Sequence, residues 1–169
     1  MKPTIREATA ADADAIGRIQ VETWRVAYAG LMPAAALEAA SVEERQRLWR
    51  EDLSRELPPR RATFVAEAEG EVIGFASVGE CHEPGSEDGE LYAIYLDHAR
   101  WGQGAGRALL ERAERALRDS GFADALLWVL DGNARAIRFY ERAGWRPSGR
   151  KTDTFQGAEV VELGYRKRL

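Results

Sequence analysis

Apolar positions along this chain change rhythm: helical spacing governs roughly the first third, and short strand-like runs take over after about residue 60. Residues 4–8 read as a short opening strand, and Thr9 with Asp12 three residues on is a capping-box-like helix start. That helix should run to about Gly30. Ile16, Ile19, Thr23 and Ala27 recur on one face, with Trp24 and Tyr28 one turn apart on its flank. Pro33 opens another short helix, and Ser41 with Glu44 forms a second capping box, starting a helix through Leu48 and Trp49 toward Leu53. Pro58-Pro59 ends it, because neither proline can continue a helical ladder.

Strand character then dominates. Residues 62–67 and 72–78 flank Glu69-Gly70, which predicts a β-hairpin, and 79–89 read as a loop through Pro84, Gly85, Ser86 and Gly89. The apolar run 90–96 is a strand, 101–106 a glycine-rich turn, and Leu109, Leu110, Ala113 and Leu117 define the next helix, closed by Ser120-Gly121. Leu126-Leu127-Trp128-Val129-Leu130 is a buried strand. A strand, a crossover helix and a strand predict a parallel pair. Asp131-Gly132-Asn133 turns into a short helix that Gly144 ends, and strands near 149–155 and 158–166 close the chain.

Composition narrows the class. At 169 residues and 45% apolar content the chain can bury one full core, so residues 1–169 are expected to form one domain. No run approaches a membrane span, and the first residues lack the apolar stretch of a signal peptide, which together read as a cytoplasmic protein with no membrane partner. Cys81, the only cysteine, has no partner for a disulfide and no ligands at metal spacing, so no metal is expected. A net charge of -4 gives no general attraction to nucleic acid. Arg100, Arg107, Arg112 and Arg115 nevertheless gather around the glycine turn, where an anion would gain from them.

Two blocks carry the chemistry. Glu90-Leu91-Tyr92-Ala93-Ile94-Tyr95-Leu96 feeds Trp101-Gly102-Gln103-Gly104-Ala105-Gly106 and a helix, an arrangement that aims unpaired backbone N–H groups at a phosphate. Residues 133–145 follow at the next strand-helix junction, from Asn133 through Phe139, Tyr140 and Arg142 to Trp145. Together the blocks resemble the acyl-coenzyme A signature of the GCN5-related N-acetyltransferase (GNAT) family, well over about residues 62–166. The resemblance implies an α/β fold with a mixed, mostly antiparallel sheet, a central parallel strand pair splayed around the cofactor, and helices on both faces. It implies an acyltransferase that uses acetyl-coenzyme A as co-substrate to acetylate an amine on a small molecule or peptide. Matched by position, Gln103, Gly104, Gly106 and Arg107 surround the pyrophosphate, the main chain at Ile94 and Leu96 binds the pantetheine amides, Asn133 caps its helix and touches the pantetheine, and Phe139 and Arg142 border the far end. Trp101 departs from the Gln or Arg that usually opens the loop.

Acylating an amine demands a deprotonated nucleophile, a donor for the oxyanion and a proton for the leaving thiolate. Glu90 stands where the histone acetyltransferase branch carries its glutamate base; it lies roughly 13 Å of strand before Ile94, so a water relay is expected. The glutamate that other members place on the following strand is replaced here by Trp128. Tyr140 matches the tyrosine that protonates the thiolate, and the N–H of Tyr95 or a neighbour would serve the oxyanion. Trp24 and Tyr28 are candidates for the acceptor wall, and Glu83, Glu87, Asp88 and Glu90 make the approach acidic, suiting a cationic amine. His82, His98 and Cys81 are weaker candidates for base or nucleophile. A non-catalytic acyl-coenzyme A sensor remains open, as does a homodimer; a nicotinamide enzyme is disfavoured, because the glycine turn falls after a hairpin deep in the chain rather than in an early strand-helix-strand unit.

Overall fold

A computed structural model describes residues 2–169. Strands β1 (Thr4–Glu7), β2 (Ala62–Ala68), β3 (Glu71–Glu80), β4 (Gly89–Leu96), β5 (Asp124–Leu130), β6 (Arg146–Phe155) and β7 (Ala158–Arg168) form one sheet in the order β1-β2-β3-β4-β5-β7-β6. Every neighbouring pair is antiparallel except β4 with β5, as the crossover reading requires. Helices α1 (Ala13–Ala27), α2 (Ala34–Ala39) and α3 (Val42–Leu53) precede β2; α4 (Ala105–Asp119) joins β4 to β5, and α5 (Ala134–Arg142) joins β5 to β6.

The two predicted capping boxes mark helix starts. The Thr9 N–H donates to the Asp12 carboxylate at 2.8 Å around a 3-10 turn before α1, and Ser41 Oγ accepts from the Glu44 N–H at 3.1 Å. The first helix stops at Ala27, short of the expected Gly30, because Tyr28 leaves helical geometry as the C-cap and Gly30 follows with φ +78°. The loop expected over 79–89 is shorter, since β3 continues to Glu80 and β4 begins at Gly89. The last two strands are longer than their apolar content suggested. Exposed polar residues of β6 keep their place through register with β7.

The sheet buries apolar side chains on both faces. On one, Leu109, Leu110, Ala113 and Leu117 of α4 pack on Leu91, Leu127 and Tyr165. Trp145, fully buried, is pinned to the same helix by its indole N–H, which donates to Glu114 at 2.9 Å; Lys167 holds the other Glu114 oxygen at 2.8 Å. On the opposite face Ile16 and Ile19 of α1 and Trp49 of α3 cover Val65 and Phe75. Phe155, at the tip of the β6–β7 hairpin, reaches back to Trp24 with ring centroids 4.9 Å apart, so the hairpin closes over α1.

Candidate functional site

The site exists because two neighbouring strands part. β4 and β5 pair only over Gly89–Ala125, Glu90–Leu126 and Leu91–Leu127, and no rung follows. The cause lies in β4 itself: the register with β3 shifts between Val78–Leu91 and Ser77–Ala93, leaving Tyr92 as an extra residue, and such a bulge bends its strand. β5 meanwhile stays zipped to β7 along its whole length. The result is a cleft of about 1180 Å³ running from the C-terminal end of α1 to the N-terminal ends of α4 and α5.

The main-chain groups facing the gap follow from ladder alternation. The Asp97 N–H donates to the Ile73 carbonyl at 2.8 Å, so at a period of two Tyr95 and Ala93 also turn their N–H and C=O toward β3. Ile94 and Leu96 therefore face the cleft, as the resemblance implied. Two details differ from expectation. The Leu96 carbonyl is already engaged, accepting from the Trp101 indole at 2.9 Å and from Thr23 Oγ at 3.4 Å, so Leu96 has only its N–H to offer. The Tyr95 N–H points away from the gap, which leaves Ile94 as the neighbour with an N–H aimed into it.

At the other end, Gly102 and Gly104 take φ of +75° and +93°, conformations costly for any other residue, and Gly104 serves as the N-cap of α4. The first α4 hydrogen bond runs from the Ala108 N–H to the Gly104 carbonyl, so the three N–H groups ahead of Ala108 have no intrahelical acceptor. With the helix dipole they make an anion cradle. Gly104, Gly106 and Arg107 line the cleft here, whereas the Gln103 side chain turns back to donate to the Ala99 carbonyl at 3.2 Å and is not part of the wall.

The anticipated arginine cluster disperses, because Arg100 precedes α4 and successive α4 residues point about 100° apart. Arg112 lies over the Phe64 ring at 4.1 Å, and Arg100 reaches Glu69 at 3.5 Å. Of the four, Arg107 alone lines the cleft, and the rest of its positive charge comes from α5, where Arg138 and Arg142 line it. Arg138 was missed, although its spacing from Arg135 and Arg142 on one helical face was a readable signal. Trp101 is a clasp rather than an anion ligand: its indole holds Leu96 and Arg135 stacks on its ring at 3.4 Å. Asn133 accepts from the Ala136 N–H at 3.4 Å and also lines the cleft. Phe139 stands 3.7 Å from where a Gly106 Cβ would be, an ordinary van der Waals contact, so the ring packs beside the start of α4.

Tyr140 is buried in the cleft wall, and burial pushes its phenol pKa up, with the nearby Tyr95 hydroxyl adding to the shift. Tyr28, the C-cap of α1, meets Tyr95 hydroxyl to hydroxyl at 3.3 Å and lines the cleft, while Trp24 sits behind that wall, edge-on to Phe155. Glu90 is 9% exposed, just before the strands part, and lies outside the cleft wall proper. Desolvation raises its pKa, partly offset by the His82 N–H donating at 3.4 Å and by the charges of His82 and Lys151. His82 stacks on Tyr92 at 4.6 Å, so this part of the loop packs against the site. The acidic approach is weaker than expected, because Asp88 pairs with Arg166 and Glu90 is covered. Glu162 of β7 was not anticipated. It is half-buried on the same side, and burial, a hydrogen bond to Asp153 and the charge of Glu90 raise its pKa.

The profile of the Acetyltransferase (GNAT) family matches residues 19–145. The chain belongs to this family. A curated relative, the uncharacterized N-acetyltransferase YuaI of Bacillus subtilis, is 38% identical over 165 residues, covering 95% of this chain and 90% of its own length. Among solved structures, the PaiA N-acetyltransferase of Thermoplasma acidophilum in complex with coenzyme A superposes with a TM-score of 0.79 at 22% identity over the full length of both chains. YncA of Salmonella typhimurium, with acetyl-coenzyme A, gives 0.72 at 22% identity, covering 100% of this chain and 95% of its own. The protein is an N-acetyltransferase of the GNAT type, and the splayed sheet is the family's fold.

The GNAT cradle gives a direct prediction. In Gly104→Ala the added Cβ has nothing within 4 Å to strike, so any cost comes from the left-handed backbone alone, about 1–2 kcal/mol. Calorimetric titration with coenzyme A should show affinity reduced several-fold; unchanged affinity would mean the loop is not the anion site.

Proposed function

We propose that the protein transfers the acetyl group of acetyl-coenzyme A directly to a primary amine, with Glu90 as general base through water and Tyr140 as general acid. The observation that carries this reading is the gap between β4 and β5, with the Ile94 main chain and the Tyr140 phenol both facing it. The Ile94 carbonyl and the Leu96 N–H would bind the amides of the pantetheine arm as an added strand does, and the α4 N-terminus with Arg107, Arg138 and Arg142 would hold the phosphates.

An aliphatic amine is mostly protonated near neutrality. A carboxylate whose pKa is raised by burial is a better base than a solvated one, which suits Glu90 to drawing off that proton. The nitrogen then attacks the thioester carbonyl, the Ile94 N–H stabilises the oxygen, and the C–S bond breaks as Tyr140 gives its proton to sulfur. The same apolar wall that raises the phenol also raises the basicity of a departing thiolate, so the transfer stays feasible.

A second reading, an acyl-coenzyme A sensor without turnover, draws on one feature: the Glu90 carboxyl is outside the cleft wall. Thiol release measured over a panel of primary amines separates the two. Release with at least one amine supports the enzyme reading, and cofactor binding with no release across a broad panel overturns it. The proposed setting is a single catalytic domain acting in the cytoplasm on a small-molecule or peptide amine.

A further inference from the structure

On the face of the sheet toward α1, an aromatic ring carries an ammonium. Trp128 of β5 lies opposite Gly164 of β7, which lies opposite Gly149 of β6. A Cβ at Gly164 would come within 3.1 Å of the indole, and one at Gly149 within 4.0 Å, so the six-membered ring rests where two strands lack side chains. Lys151 Nζ sits over this ring, 4.3 Å from its centroid. Trp128 also lines the cleft, so the shelf adjoins it through this residue, while Lys151, Glu90 and Glu162 stand beyond the wall.

The surrounding charges are unbalanced. Lys151 is directly opposite Glu162, and its ammonium is 3.8 Å from Asp153. Glu90 on β4 feels the charge of Lys151, and Glu162 feels both Lys151 and Glu90. Three carboxyl groups thus face one lysine whose side chain is 40% exposed, with His82 3.3 Å from Glu90 as a further neighbour. Burial makes the ionised forms of Glu90 and Glu162 costly, and a second cation would relieve that cost.

We propose that the Trp128 ring, flanked by Glu90 and Glu162, binds a second cationic nitrogen of the acceptor, so that the preferred acceptors are aliphatic diamines or polyamines and Lys151 is a tethered occupant that the substrate displaces. The proposal rests on the acetyltransferase reading and narrows its acceptor. Ring and carboxylates attract an ammonium together, by its interaction with the aromatic face and by direct charge. An acceptor bearing a carboxylate in the same place meets like charge instead.

The test compares kcat/KM for pentylamine, the α,ω-diamine of the same chain length and the ω-amino acid of that length. The diamine should exceed the monoamine by about tenfold, the scale of a desolvated cation–π contact, and the amino acid should be the poorest. In Trp128→Leu the diamine-to-monoamine ratio should collapse toward one, a ratio within one variant that does not depend on how much of it folds. In Lys151→Met the KM for the diamine should fall; a rise would overturn the displacement. Calorimetric titration of the coenzyme A-loaded protein with the bis-trimethylammonium analogue of the diamine, which cannot be acylated, tests the shelf without turnover. Binding that Trp128→Leu abolishes, with no thiol release from any amine, would leave the shelf standing and sink the enzyme reading. Monoamine and diamine turned over equally well, or no binding of the analogue, would sink the shelf and leave the acetyltransferase reading untouched.

Discussion

Tyr140→Phe lowers kcat by about a hundredfold or more, the range of a lost general acid, while the affinity for coenzyme A stays nearly unchanged. The phenol is buried in the cleft wall with its pKa raised, so it keeps its proton across the whole working pH range and has it to give. Phenylalanine preserves the ring's contacts with Phe139 and Trp145, whose centroids lie 5.4 and 6.4 Å away, and removes only the hydroxyl. Initial rates at saturating substrates, together with a coenzyme A titration, check this. A kcat equal to wild type would remove Tyr140 from the chemistry; a collapse in cofactor binding would make its role one of shape.

Glu90→Gln also lowers kcat/KM by about a hundredfold, the lower end for a general base, and changes the pH profile. With Glu90 as the proposed base, the wild-type rate should fall as pH drops through a pKa above the ordinary carboxylate value. The variant should lose that acidic limb. Stability moves the other way. A carboxyl whose folded pKa is raised contributes stability that is fully present below its unfolded pKa and lost as pH rises through the folded one. Glutamine stays neutral throughout, so the variant should melt higher than wild type at mildly alkaline pH, with the difference closing below the unfolded pKa of about 4.3. Loss of activity with a raised Tm separates a missing base from a damaged fold. An unchanged acidic limb in Glu90→Gln would assign the base elsewhere, with half-buried Glu162 the first alternative.

The order of elements and the family were legible in the sequence because both rest on local physics. Thr9 with Asp12 and Ser41 with Glu44 announce helix starts through bonds spanning three residues, and Gly102 and Gly104 mark a left-handed turn that leads into α4. Leu109 to Leu117 shows its buried face by spacing alone. Tyr140 and Asn133 could be named from one continuous block for the same reason. The acceptor side was far less readable. Glu162, Lys151 and Phe155 sit in polar or mixed stretches with no pattern of their own, and they meet Trp128, Tyr28 and Glu90 only after β7 inserts between β5 and β6.

Local sequence thus determined where the strands, caps and glycine cradle lie, since hydrogen bonds between near neighbours and alternating burial act within one segment. Tertiary structure decided which main-chain groups of β4 are free and what faces the acceptor. The single extra residue at Tyr92, the use of the Leu96 carbonyl by Trp101, and the seating of Lys151 on Trp128 all depend on partners brought together by the sheet. The physical reason is that strand register and pairing between distant segments set both the gap and its charges, and no stretch of chain encodes a register by itself.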